Sequence, residues 1–368
     1  MKIEQVQVRV IGPEVTRYHW AEGMPEQYMT GTLVRIVTDD GVEGIALTTT
    51  YSPHDFDRSC AESIRHMIPA LVGRDPLNRE GLWRALRDAS LPTIPGALSA
   101  VDIALWDLFA HTVGLPLYQT LGGYRSRILA YASTPTFPTI EEYVERTEHL
   151  VAEGFRAVKF HAYAVPERDI ALVEAVRRRF PSRDIAFMFD PENRYTREDA
   201  LRVARVLDDL GFTWFEAPLD DFDLTGYREL RAAVDLPIVP AGNWVTDLRL
   251  LREYASAGAW DKARADVQNC GGFTAARKIM ALAESFGLTC ELQCWGYTLS
   301  QAANLHLMLA LPNCTYFEQP IPYPSFEYGM IDTIRPDAEG YVHAPAGPGL
   351  GLRVDWEAME AATILTLS

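Results

Sequence analysis

Seven polar residues recur along this chain at an interval that only a few folds can accommodate. Lys159, Asp190, Glu216, Asn243, Asp266, Gln293 and Glu318 are separated by steps of 31, 26, 27, 23, 27 and 25 residues. The first four close strand-like segments: Arg156-Ala-Val-Lys-Phe-His161, Phe187-Met-Phe-Asp190, Phe212-Thr-Trp-Phe-Glu216 and Ile238-Val-Pro-Ala-Gly-Asn243. The interval is about one β-strand, one helix and two loops, so a chain repeating it closes a barrel of parallel strands. The active site of such a barrel lies at the C-terminal ends of the strands.

Around that repeat the chain divides into three parts. Residues 1–125 read as an α+β capping unit: alternating Val6, Val8 and Val10, then Thr32–Thr38 running into the turn Asp39-Asp-Gly41, then helical periodicity over 57–90 and 97–113. Gly114 and Pro116 end the last of these helices. Residues 126–325 read as the barrel, with a first strand at Leu129–Ser133 and helices near 140–153, 167–179, 197–209, 226–234, 247–256, 273–286 and 299–310. No clean eighth helix is legible, which predicts an α/β fold of the modified TIM-barrel type, (β/α)7β. Residues 326–368 are turn-rich and then strand-like, and are expected to return to the capping unit.

Composition excludes some functions. The formal charge of −16 argues against nucleic acid, which demands a basic face, and against anionic membranes. No apolar stretch approaches a membrane span, and the alternating N-terminus lacks a signal-peptide core, so a cytoplasmic protein is expected. Five cysteines do not suggest a disulfide framework. Cys290 and Cys294 share a strand face and read either as a metal pair or, more commonly, as buried small hydrophobes. The chain has 30 Arg and only four Lys, which makes Lys159, set in an apolar strand, informative.

Asp190, Glu216 and Asn243 end consecutive predicted strands, so they would lie side by side on the rim. Three hard oxygen donors in an open arc suit Mg2+, which retains positions for water or substrate. Asp and Asn also favour helix N-caps, the competing reading. Lys159 and His161 share a strand face. A neighbouring ammonium disfavours imidazolium, leaving His161 a neutral general base. A metal, a base and a carboxylate-holding group together point to proton abstraction α to a carboxylate, through a metal-stabilised enediolate.

The chain resembles the mandelate racemase-like branch of the enolase superfamily over essentially its whole length. The resemblance is carried by Ser99-Ala-Val-Asp-Ile-Ala-Leu-Trp-Asp107, Gly114-Leu-Pro-Leu-Tyr118, Leu121-Gly-Gly123, Trp214-Phe-Glu-Ala-Pro-Leu219, Gly271-Gly272, and Gly347-Pro-Gly-Leu-Gly351 with Asp355. It implies metal positions at Asp190 and Glu216, and a Lys-x-Lys pair at Lys159 and His161. It also implies a carboxylate-holding Glu318 and cap-loop substrate contacts from His19 and Trp20. Trp295, beside Gln293, is a third candidate for substrate contact. Asn243 stands where most members carry Glu, and Glu192 where Asn is usual. Asp266 matches the Asp of an Asp–His dyad, but its partner position is Gln293, an amide that shuttles no proton at neutral pH. The expectation is a Mg2+-dependent dehydratase of a sugar acid or hydroxy acid giving a 2-keto-3-deoxy product. The alternatives are a racemase, epimerase or lactone cycloisomerase, and a non-catalytic sugar-acid binder. The partner expected is a small carboxylate, and the resemblance implies a homo-oligomer.

Overall fold

A computed structural model describes residues 1–21, 23–24, 28–52, 57–89 and 95–367; the readings at Glu22 and Ser90 fall outside them. Strands β1 (Ile3–Ile11), β2 (Tyr28–Thr38) and β3 (Glu43–Ser52) form an antiparallel sheet. The β2–β3 turn closes with the Thr38 N–H on the Val42 carbonyl at 3.0 Å, and Gly41 supplies the positive φ of +82° that it needs. Helices α1 (Asp57–Leu71), α2 (Arg79–Ala89), α3 (Pro95–Val113) and α4 (Leu117–Leu121) complete the capping unit. Helix α3 is apolar around most of its circumference and buried from Ala97 to Leu108, as a helix enclosed on all sides must be.

The eight barrel strands are β4 (Arg127–Thr134), β5 (Ala157–His161), β6 (Ala186–Asp190), β7 (Trp214–Glu216), β8 (Ile238–Val239), β9 (Lys262–Ala265), β10 (Thr289–Leu292) and β11 (Phe317–Pro320). Seven helices alternate with them: α5 (Ile140–Ala152), α6 (Pro166–Arg179), α7 (Arg197–Asp209), α8 (Leu224–Ala233), α9 (Leu248–Ser256), α10 (Gly272–Ser285) and α11 (Thr298–Ala310). Among the described residues a single 3-10 turn (Tyr323–Ser325) stands where an eighth α-helix would follow β11, so the barrel is (β/α)7β as its sequence predicts. The helices follow the expected pattern. In α7, Thr196 caps the first turn by accepting from the Asp199 N–H, and Ala200, Val203, Ala204 and Leu207 form one buried stripe.

Two seams interrupt the parallel ladder. One run is β11-β4-β5-β6-β7-β8 and the other is the pair β9–β10. Backbone hydrogen bonds from Asp261 N–H to Ile238 O (3.0 Å) and from Cys290 N–H to Asn313 O (2.7 Å) bridge the seams. The strand read as ending at Asn243 is shorter than expected. It stops at Val239, because Pro240 lacks a ladder donor and Gly242 adopts φ +72°. Asn243 therefore sits on a loop beyond the strand.

After β11 the chain makes β12 (Tyr341–His343), which pairs with β4, then α12 (Trp356–Ala361) and β13 (Thr363–Leu367), which pairs antiparallel with β1. The capping sheet thus has the order β13-β1-β2-β3.

The two domains are joined by buried polar groups on α3. Asp102 accepts from the Thr274 N–H (2.9 Å) and hydroxyl (2.7 Å), and so caps α10 across the interface. Ser99 accepts from Gly271 N–H (2.9 Å), and the Trp106 indole donates to Thr274 (2.9 Å). Asp107 accepts from Ile45 N–H (2.8 Å) and Leu350 N–H (2.6 Å), tying β3 and the returning tail to the same helix. Hydrogen bonds to a charged group contribute about 1.5–3 kcal/mol each. A Cβ on Gly272 would lie 2.3 Å from Asp102 Oδ2, at a φ of +80°. Gly272→Ala is therefore expected to lower stability by more than about 1 kcal/mol. The check is the urea midpoint, and an unchanged midpoint would remove the close approach as the reason for this glycine.

Candidate active site

At the C-terminal end of the barrel is a cavity of about 350 Å³, lined by Lys159, His161, Asp190, Glu192, Glu216 and Asn243 among others. Strand β5 is buried throughout and turns Lys159 and His161 to the same face. The Lys159 ammonium lies 2.7 Å from Glu216 Oε1, 3.0 Å from Glu318 Oε1 and 3.1 Å from Asp190 Oδ2. Burial pushes this amine down, but the three carboxylates outweigh it and hold it well above its ordinary range. A second buried cation, Arg264 on β9, lies 2.7 Å from Glu216 Oε1 and 3.1 Å from Glu318 Oε2. Burial raises the Glu216 carboxyl against Arg264 and Lys159. Its other oxygen accepts from the Trp214 indole at 3.1 Å.

His161 departs from its predicted state. Its Nδ1–H donates to the Thr134 carbonyl (2.7 Å), which leaves Nε2 at 3.2 Å from Asp190 Oδ2 and 3.0 Å from Glu192 Oε1. Burial and the Lys159 charge both push the imidazole down, as expected. The two carboxylates prevail and raise it to about 9. Asp190 itself is lowered well below the usual carboxylate range: burial raises it, and Lys159 and His161 overcome that.

Glu318 does not line the cavity. Its Oε1 accepts from Ser133 (3.0 Å) and the Trp295 indole (3.1 Å) and faces Lys159, while Oε2 accepts from Arg264 and from the Cys294 N–H (3.1 Å). Burial raises it, but Lys159 and Arg264 bring it down to about 2. Glu318 is thus an ionised acceptor that positions Trp295 and both cations. Asp266 lies outside the lining as well, accepting from Gln268 N–H (2.8 Å) and the Asn304 amide (2.9 Å). Gln293 does line the cavity, and its amide donates to the Ala241 carbonyl and to Asn243 Oδ1 (3.2 Å).

Trp20 enters from the capping unit. Its ring centroid is 3.8 Å from that of Trp295 and 4.9 Å from that of His161, so two indoles wall one side of the cavity. His19 is placed differently. Its carbonyl accepts from Thr136 N–H (2.9 Å), while its exposed ring faces a neighbouring cavity of about 330 Å³ with Phe137, Tyr163 and Arg168. Arg264, Glu192, Asn193 and Trp244 also line the main cavity and were not among the predicted site residues. Arg264 lies in Lys262-Ala-Arg264-Ala265, a short strand with a second cation, so the sequence did not set it apart as it did Lys159. Glu192, Asn193 and Ala217 have φ of +55°, +59° and +46°, a concentration of backbone strain at the cavity wall.

Residues 142–358 match the family model "Enolase C-terminal domain-like", and residues 6–122 match "Mandelate racemase / muconate lactonizing enzyme, N-terminal domain". The chain belongs to the enolase superfamily, in its mandelate racemase/muconate lactonizing enzyme group. It is 28% identical to D-galactarolactone cycloisomerase of Agrobacterium fabrum over 98% of both chains. A candidate mandelate racemase/muconate lactonizing enzyme from Pseudovibrio sp. superposes with a TM-score of 0.96 at 40% identity, covering 100% of this chain and 98% of that one. D-glucarate dehydratase from Agrobacterium tumefaciens, complexed with magnesium, superposes with a TM-score of 0.85 at 31% identity, covering 99% and 100%. The relatives include sugar-acid dehydratases, racemases and cycloisomerases. Among the described residues, no helix is long and apolar enough to cross a membrane.

Removing one partner from a buried ion network leaves charges uncompensated, at a cost of about 3–5 kcal/mol. Lys159→Met is expected to destabilise the protein by that amount, measured by denaturant unfolding. A loss below about 1 kcal/mol would mean that Arg264 alone neutralises the carboxylates.

Proposed function

We propose that this protein removes the proton α to a substrate carboxylate with the help of a divalent cation, and that the reaction is dehydration of a sugar acid or related hydroxy acid to a 2-keto-3-deoxy product. The observation that carries this reading is the asymmetry of the cavity. An imidazole, His161, faces it from β5, whereas the residue following β10 is Gln293, an amide. Transfer on both faces of a carbanion, as racemisation requires, has no titratable group at Gln293. Dehydration can proceed with one base.

The residues fit a divalent cation. The cavity lining carries three carboxylates, Asp190, Glu192 and Glu216, against two permanent cations, Lys159 and Arg264. Glu318, behind the lining, is a fourth carboxylate on the same two cations, so anionic groups outnumber cationic ones even when His161 is protonated. For His161 to act as a base it must be neutral, and the site then has a still larger net negative charge that repels a carboxylate substrate. Asp190 would hold the ion, with Glu216 and Asn243 as further oxygen donors. Mg2+ suits such a set. When bound, the cation supplies the positive charge that attracts the substrate carboxylate and takes up charge as the α-carbon loses its proton.

The chain's own residues do the rest. Thr134 O fixes the His161 tautomer, so that Nε2 is the nitrogen that receives the proton. Glu318 and Ser133 hold the Trp295 indole, which with Trp20 excludes water from one side. Lys159 stays charged beside Asp190 and Glu216 and adds positive potential at the cavity floor.

A second reading is lactone cycloisomerisation, favoured by the end-to-end similarity to D-galactarolactone cycloisomerase. It also needs only one base. Proton NMR in D2O, with and without Mg2+, over aldonic, aldaric and α-hydroxy acids and their lactones separates the two. Dehydration is expected to give Mg2+-dependent loss of an α-proton signal together with 3-deoxy product signals. Ring-opened or ring-closed isomers without loss of water would favour the second reading, and absence of exchange across the panel counts against both. His161→Asn is expected to abolish exchange while Mg2+ binding persists; retained exchange would remove His161 from the chemistry.

A further inference from the structure

We propose that Glu192 is a direct ligand of the divalent cation, adding a carboxylate to the site at Asp190. The inference rests on the reading above that such a cation enters this cavity, and it concerns which of this chain's own residues receive it.

Three observations converge on Glu192. Its carboxylate faces the cavity, with its side chain 23% exposed, so the group is reachable from solvent. The donor atoms of His161, Asp190 and Glu192 lie within 4.8 Å of one another. The His161 Nε2–H sits between Glu192 Oε1 (3.0 Å) and Asp190 Oδ2 (3.2 Å), a seat for positive charge flanked by two anions. The Glu192 backbone N–H also donates to Asp190 Oδ1 (2.9 Å), which fixes the two carboxylates relative to each other.

The other candidate donors are more committed. Glu216 Oε1 is shared by Lys159 and Arg264 at 2.7 Å each, and its Oε2 accepts from Trp214. Asn243 is neutral and exposed, lies on a loop, and accepts from the Gln293 amide (3.2 Å). A hard divalent cation prefers anionic oxygen. Glu192 offers one that faces the cavity and, among the described residues, lies against the His161 ring.

The test uses Mn2+ alone, counting free ion by electron paramagnetic resonance, on the full-length protein and on Glu192→Gln, Glu192→Asn, Asn243→Ala and Asp190→Asn. Glu192→Asn guards against a folding failure, because Asn tolerates the positive φ at this position; thermal unfolding confirms that each variant is folded. Both Glu192 variants are expected to weaken Mn2+ binding at least tenfold, and by more than Asn243→Ala does. Wild-type affinity, within twofold, in either folded Glu192 variant would overturn the proposal, as would an Asn243→Ala effect larger than theirs. Such a result leaves the cation reading standing if Asp190→Asn still loses binding. Absence of saturable Mn2+ binding by the unaltered protein sinks the cation reading, and this inference with it.

Discussion

The Lys159 ammonium, buried among Asp190, Glu216 and Glu318, is the interaction around which this active site is arranged. Below it the barrel floor is apolar, closed by Tyr131, Ala157, Met188, Trp214 and Val239. Above it is a cavity that must accept an anion. The ammonium and guanidinium at that boundary hold Glu318 below the usual carboxylate range, as Lys159 and His161 hold Asp190, whereas at Glu216 burial prevails. The cations also sort the carboxylates. Glu318 is saturated with donors and serves as a fixed anion. Glu216 is shared by both cations. Asp190, with Glu192 beside it, is left facing the cavity, where chemistry is done.

A comparable economy joins the two domains. Helix α3 presents Ser99, Asp102, Trp106 and Asp107 to three separate parts of the chain: the N-terminus of α10, strand β3 and the returning tail. The small residues opposite are there for space. A Cβ on Gly272 or Gly349 would meet the carboxylates of Asp102 or Asp107 at 2.3 Å or 2.2 Å. The motifs that carry the family resemblance are thus mostly interface chemistry. They bring the cap loop bearing Trp20 against Trp295 and His161, while the motif Trp214–Leu219 also reaches the cavity through Glu216 and Ala217.

The fold was legible in the sequence because the interval between polar strand ends is a geometric property of a barrel, and because Gly and Pro mark where its helices stop. Of the seven spaced residues, Lys159, Asp190, Glu216, Asn243 and Gln293 line one cavity, and His161 lines it beside Lys159. What the sequence concealed was electrostatic. The protonation of His161 depends on how close Asp190 and Glu192 come, and spacing carries no such distance. Asn243 was read onto a strand because Ile238 and Val239 begin one, while Pro240 and Gly242 end it two residues in. Arg264 escaped notice because arginine is abundant in this chain, so an inward-facing one did not stand out as Lys159 did. Asp266 and Glu318 match positions in the family pattern, but their hydrogen bonds turn them away from the cavity. A resemblance can assign a position, but it does not assign an orientation.

The pairing of β13 with β1 sets Leu367 opposite Val8. During synthesis every strand and helix of the barrel emerges before β13 does. Until then β1 has an open edge, and an unpaired edge is a template for association with other chains. The cap is therefore the last part of the molecule to be completed, although it begins first.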